Sequence, residues 1–261
     1  MPDFSGNSFA EASFALDAAL RSDPEIPLGP GSTGIIGVLE APDPSVPEFI
    51  LHAANIGDSR LLVLHADGSF TRMSSDQKPN DPKETKRVKR AGGSVLRTAM
   101  GVWRIDGRLA LSRSFGDFRM KSRGDLLPSQ QKVVALPHVR TLRVRAGDVL
   151  VYACDGVFEA QGMTWRFVAN FVAMQLKSSG GDLEAAVSRL VSAAYLMGSG
   201  DNISAMLLRL LPQPFEKPSV QKAEVDVLGV RTEVPAMLPS EATVQRSGAW
   251  VNELGLYATL Y

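Results

Sequence analysis

The spacing of apolar residues changes several times along the chain, and each change predicts an element. Phe9, Ala12, Leu16 and Ala19 recur at helical spacing, so Phe9 to Leu20 is expected as a helix with those four facing a core. Ser22 to Pro30 carries prolines at 24, 27 and 30 and reads as a loop. Gly31-Ser32-Thr33-Gly34 then turns into an apolar strand at 35–39. Phe49 to Asn55 and Arg60 to His65 read as two strands joined through Gly57-Asp58-Ser59 into a hairpin; Asp67-Gly68 turns into a third at Ser69 to Met73. Asp81-Pro82-Lys83-Glu84 opens a helix: Asp81 caps it, Pro82 suits its first position, and Glu84 completes a capping-box-like pair. Gly92-Gly93 stops it. Ser94 to Ile105 holds one or two strands, Phe118 to Gln131 is a polar loop, and Lys132 to Leu136 and Thr141 to Val144 read as strands. Thr164 and Asp182 cap two further helices with apolar residues at helical spacing, and Ile203 to Leu210 is a strand.

The run Val149-Leu150-Val151-Tyr152-Ala153-Cys154-Asp155-Gly156 stands apart. It reads as a buried strand that delivers one carboxylate at its end, where glycine permits a sharp turn. Gly200-Asp201-Asn202 offers a second carboxylate immediately before another apolar run. Two aspartates at the ends of buried strands suit a hard cation, which prefers oxygen ligands. Asp-Gly is also an ordinary turn, and spacing alone leaves both readings open.

Composition narrows the picture. With 44% apolar residues among 261, the chain can build a substantial core. Its 28 basic and 28 acidic residues balance, so no global charge draws it to nucleic acid or to an anionic membrane. The single cysteine, Cys154, rules out an internal disulfide and suits a reducing compartment, cytoplasm or nucleus. No apolar run is long enough to span a bilayer, and Met1 to Ser5 lacks the pattern of a signal peptide. Gly31-Ser32-Thr33-Gly34 lacks the lysine a phosphate-binding loop needs. His52, His65 and His138 show no zinc spacing. Lys83, Lys86, Arg87, Lys89 and Arg90 stand against one acid on their helix; they form either a solvated basic face or a surface that attracts an anionic, phosphorylated substrate. From Pro212 the periodicity fades. Residues 212–261 are expected as a partly disordered tail whose apolar end, from Gly248, docks on the domain or on a partner.

Six segments, in order, resemble the metal-dependent protein phosphatases of the 2C (PPM) type. They are Gly31-Ser32-Thr33; Ala54-Asn55-Ile56-Gly57-Asp58-Ser59-Arg60; Ser75-Asp76-Gln77-Lys78-Pro79 with Glu84, Arg87 and Ala91-Gly92-Gly93; Leu109 to Asp117; Ala153-Cys154-Asp155-Gly156-Val157-Phe158-Glu159; and Gly198-Ser199-Gly200-Asp201-Asn202. Each alone is ordinary, but six in order at family spacing are specific.

The resemblance implies an α+β fold, an antiparallel β-sandwich flanked by helices, over residues 1–211. It implies a hydrolase that removes phosphate from phosphoserine and phosphothreonine in protein substrates, with Mg2+ or Mn2+ as cofactor. A water activated by metal then does the work, and no side chain acts as nucleophile. Asp155 and Asp201 match the family's metal-binding aspartates. Asp58 matches an acid serving a third metal in some members, and Glu159 stands where that site usually has aspartate, its extra methylene setting the carboxylate further from the backbone. The resemblance assigns no substrate-binding residue here. Members normally begin with strands that carry a phosphate-gripping arginine and an Asp-Gly-His-Gly segment, neither of which is recognised in these 261 residues. The domain is therefore expected to be N-terminally incomplete. Three readings remain: a truncated phosphatase, an inactive pseudophosphatase that binds phosphoproteins or regulates a partner, and a hydrolase of another kind.

Overall fold

The protein is described by a computed structural model for residues 4–41 and 46–211, and for the backbone of 222–227, 230–235, 249–251 and 257–259. In chain order the elements are α1 (Gly6–Ser22), β1 (Gly31–Ser32), β2 (Gly34–Glu40), β3 (Glu48–Ile56), β4 (Arg60–Leu64), β5 (Phe70–Arg72), α2 (Pro82–Arg90), β6 (Val95–Arg97), β7 (Trp103–Ile105) and β8 (Phe115–Gly116). There follow β9 (His138–Arg145), β10 (Val149–Ala153), α3 (Gly156–Glu159), α4 (Trp165–Ser178), α5 (Leu183–Leu196), β11 (Ala205–Arg209), β12 (Lys222–Val227), β13 (Val230–Pro235), β14 (Ala249–Val251) and β15 (Tyr257–Thr259). Caps set several helix boundaries as expected. The Asp81, Thr164 and Asp182 side chains accept backbone N–H bonds from Lys83, Phe167 and Ala185.

The chain forms two compact units that interleave in sequence: residues up to Gly37 with 52–59 and 74–140, and 38–51 with 60–73 and 141 onward. A three-stranded sheet runs in the order β2-β3-β9.

The first unit holds α1, α2, the antiparallel pairs β1–β8 and β6–β7, and a small core of Val88, Ile105 and Val133 with Val95, Leu109 and Met120 packed against it. Polar links carry much of its order. The buried Glu84 carboxylate accepts from Arg87 Nη1 at 2.7 Å, Arg113 Nη2 at 2.7 Å and Ser112 Oγ at 2.7 Å. Glu84 therefore does not complete a capping box; two guanidiniums in reach outcompete one backbone N–H for it. Helix α1 also differs from expectation. Leu16 is 42% exposed, and the helix turns Ser13 and Asp17 inward. Asp17 receives the buried Lys121 ammonium at 2.8 Å and the Gly116 N–H at 2.8 Å, so a polar network selects the inward face.

In the second unit the six-stranded sheet runs β14-β15-β11-β10-β4-β5. Strand β10 pairs antiparallel with β4 and β11, with Val151 opposite Leu62 and Leu207. Val149, Leu150 and Val151 are all buried, so the apolar run is continuous rather than alternating. Leu62, Val151 and Leu207 pack with Val168, Val172, Val187 and Leu190 of α4 and α5 in the main core.

The hairpin expected between residues 49–55 and 60–65 does not form. Strand β3 lies between β2 and β9, whereas β4 lies between β10 and β5. Both strands are buried on successive residues, which marks strands covered on both faces rather than a half-exposed two-stranded ribbon. Lys132 to Leu136 makes only a single parallel bridge, Arg113 to Val134, where a strand was expected. Within the expected tail, β12 and β13 pair with each other and β15 pairs with β11. The remainder of that tail, including Leu254, Leu256 and Leu260, lies outside the described residues.

Candidate metal centre

Strand β10 ends at Ala153, and Asp155 turns the chain into the single-turn helix α3. Its neighbour β11 runs the opposite way and begins at Ala205, directly opposite Ala153. The residue after one strand and the residue before the other thus reach the same edge of the sheet. There Asp155 and Asp201 meet Glu159 from the end of α3: one carboxylate oxygen from each lies within 4.8 Å of the other two. Asp155 is half-buried, and Glu159 and Asp201 are exposed.

The backbone around the acids is tightly stitched. Ser199 Oγ donates to the Gly156 carbonyl at 2.7 Å, and Asp201 Oδ1 accepts the Asn202 N–H at 2.7 Å. Cys154 Sγ contacts the Asn202 carbonyl and accepts the Ser204 N–H, both at 3.1 Å. Position 156 has room only for glycine. A Cβ there would stand 2.1 Å from the Asn202 carbonyl oxygen and 3.5 Å from Asp201 Cβ. The sharp turn and the close approach are one feature: glycine lets α3 begin against the loop that carries Asp201.

The structure brings together Asp155, Asp201 and Glu159. Asp58, also expected among the ligands, belongs to the first unit, where it is buried and ion-paired with Lys78. A buried carboxylate needs such a counter-charge. Asn55 and Gln77 hold the turn beside it: the Gln77 side chain bonds the Gly57 N–H and the Asn55 carbonyl. Sequence reading gave no role to Gln77, Lys78 or Ser199 beyond their places in the six segments, because their partners lie 20 to 43 residues away.

A helix-covered antiparallel sheet presenting a carboxylate cluster at its edge is the class that fold and site define. The family model of protein phosphatase 2C matches residues 4–203, and the chain belongs to that family. "Probable protein phosphatase 2C 76" of Arabidopsis thaliana is 36% identical over 172 residues, 66% of this chain and 36% of that protein. "Probable protein phosphatase 2C 6" of Paramecium tetraurelia is 37% identical over 166 residues, 61% of this chain and 53% of that protein. The chain thus spans between about a third and a half of the length of these curated relatives. Among solved structures, a phosphatase from a pathogenic strain of Toxoplasma gondii superposes with a TM-score of 0.72 at 34% identity, over 83% of this chain and 78% of that one.

The family is metal-dependent, and the donors here fit a hard divalent cation. All three are carboxylates, and the thiol beside them is engaged with backbone. Among the described residues no helix is long and apolar enough to cross a membrane.

Proposed function

We propose that the chain is the metal-binding part of a protein serine/threonine phosphatase that hydrolyses phosphoserine and phosphothreonine in protein substrates, with Mg2+ or Mn2+ held by Asp155, Asp201 and Glu159. The observation that carries this reading is the convergence of these three carboxylates at one sheet edge in a chain of this family. The chemistry such cations supply when bound is Lewis acidity, which acidifies a water and neutralises charge on the phosphoryl group. The chain's own part is positioning. Strand β10 fixes Asp155, the Asn202 N–H orients Asp201, and the Gly156 contact holds the two segments together. Asp58 stays outside the proposed ligand set because Lys78 engages it. The single cysteine supports a reducing compartment, cytoplasm or nucleus, as the place of work.

The test is Mn2+ titration by calorimetry beside phosphate release from a phosphothreonine peptide, on the wild type, Asp155→Asn and Asp201→Asn. Metal binding that each substitution weakens roughly tenfold or more, with turnover that follows it, is the expected result. Wild-type protein that binds no Mn2+ would overturn the proposal. Binding without turnover would favour the pseudophosphatase, a module that holds phosphoproteins without hydrolysing them.

A further inference from the structure

The basic helix α2 borders a hollow of about 370 Å³ within the first unit, lined by Lys83, Lys86, Arg87 and Arg90 together with Ser129 and Gln130 and by no acidic residue. These cations recur at helical spacing and so share one face. The helix carries five cations and one acid, a local charge of +4 in a chain whose net charge is zero. Its single acid, Glu84, is buried and committed to Arg87 and Arg113. Arg87 is committed too, donating also to the Ser112 and Gln131 carbonyls. Lys83, Lys86 and Arg90 remain exposed, and no acid among the described residues is shown paired with them.

Nothing local accounts for this face. Like charges three and four residues apart weaken a helix. Lys83 sits in the first turn, the end where the helix dipole disfavours a cation. The field extends beyond the helix: His138, on the same unit's surface, resists protonation first through partial desolvation, then through the positive charges of Arg113, Arg140 and Lys83. A concave surface with three exposed cations, walled also by Leu126, Ser129 and Gln130 and by no acid, is complementary to an anionic chain.

We propose that this hollow binds an acidic or phosphorylated stretch of a protein substrate other than the residue that is dephosphorylated, and so selects substrates that carry more than one negative group. The proposal rests on the phosphatase reading for the identity of its ligand, but its test does not require catalysis.

The probe is a fluorescein-labelled threonine peptide phosphorylated at two positions, with its unphosphorylated counterpart, followed by anisotropy at low salt. EDTA is present, so neither turnover nor the carboxylate cluster contributes. The wild type should prefer the phosphorylated peptide and lose affinity as salt rises. Lys83→Ala/Lys86→Ala/Arg90→Ala should bind it roughly tenfold more weakly. Lys177→Ala, an exposed cation on α4, should bind as wild type does. Circular dichroism melting checks that the triple variant folds, and Lys86→Glu alone gives a second reading should it not. Equal affinity of wild type and triple variant, or of the two peptides, would overturn the proposal. So would tight binding to phosphatidylserine vesicles without preference for the phosphopeptide, which would make the face a membrane contact instead. Loss of Mn2+ binding in the separate calorimetric test would leave this result standing, so the two readings fail independently.

Discussion

Glu84 ties helix α2 to the segment at residues 112–113 within the first unit, and its removal has a calculable effect. The carboxylate is 3% exposed and is reached by two guanidiniums and a hydroxyl from the segments around residues 87 and 113. Burial alone would raise its pKa. The Arg113 hydrogen bond, the charges of Arg87 and Arg113 and the Ser112 hydroxyl overcome that and hold it at about 2, against an ordinary 4.5. Burial, together with the nearby Arg113 charge, pulls the Arg87 guanidinium down more than Glu84 restores it, but arginine stays charged throughout, so the carboxyl is the group that reports the pairing. The difference corresponds to on the order of 3 kcal/mol at neutral pH. Because the folded carboxyl titrates below the unfolded one, this contribution is complete above the unfolded value. It is lost as pH falls from about 4.5 towards about 2. Glu84→Gln removes the charge and strands two partly buried cations, for an expected cost of roughly 3–5 kcal/mol at neutral pH. Urea midpoints by circular dichroism, taken for wild type and Glu84→Gln over a series of pH values, read this directly. The gap between them should narrow as acid protonates the wild-type carboxyl. A gap of constant size down to the acid limit, or none at neutral pH, would refute the reasoning.

Three further outcomes follow from packing. Gly156→Ala drives a Cβ to 2.1 Å from the Asn202 carbonyl, so it should cost about 1–3 kcal/mol in urea denaturation and also weaken Mn2+ binding in calorimetry. The Arg60 guanidinium lies 4.3 Å from the Phe158 ring and 5.0 Å from that of Trp165. Arg60→Ala should therefore lower stability by about 1–2 kcal/mol, with Arg60→Lys intermediate. Asp17→Asn leaves the buried Lys121 ammonium without its carboxylate and should cost about 3–5 kcal/mol in the same denaturation; a loss below ~1 kcal/mol would show that α1 does not depend on the pair.

What the sequence reveals follows the range of the interaction responsible. Caps act within three residues, and the starts of α2, α4 and α5 fall where Asp81, Thr164 and Asp182 place them. The β6–β7 pair within the expected 94–105 stretch is equally local. Misreadings begin where a distant partner decides. Gly57, at φ +95°, permits the turn a hairpin would use. Yet the segment is fixed by Gln77, and β4 finds its neighbours in β5 and β10. The periodicity of α1 points to Leu16, but the helix turns Asp17 inward because Lys121 waits there, 104 residues on. For Glu84, sequence cannot tell a carboxylate that meets solvent from one already answered by an arginine.

Asp155 and Asp201 were legible for a reason that the sheet makes plain. Val149, Leu150 and Val151 are buried on both faces, so no carboxylate could lie within that stretch without a heavy desolvation cost. The first place where the chain can offer a charge is just past the strand, and the last place before β11 is just ahead of it. Antiparallel pairing makes these two places neighbours, although 46 residues separate Asp155 from Asp201. Those intervening residues are largely α3, α4 and α5, whose apolar faces bury the sheet residues of β4, β10 and β11. The excursion that closes the core therefore also returns the chain to the edge it left. A slip of one residue between β10 and β11 would turn the inward residues outward and offset Asp201 from Asp155. Core packing and the geometry of the acidic cluster are thus fixed by the same register.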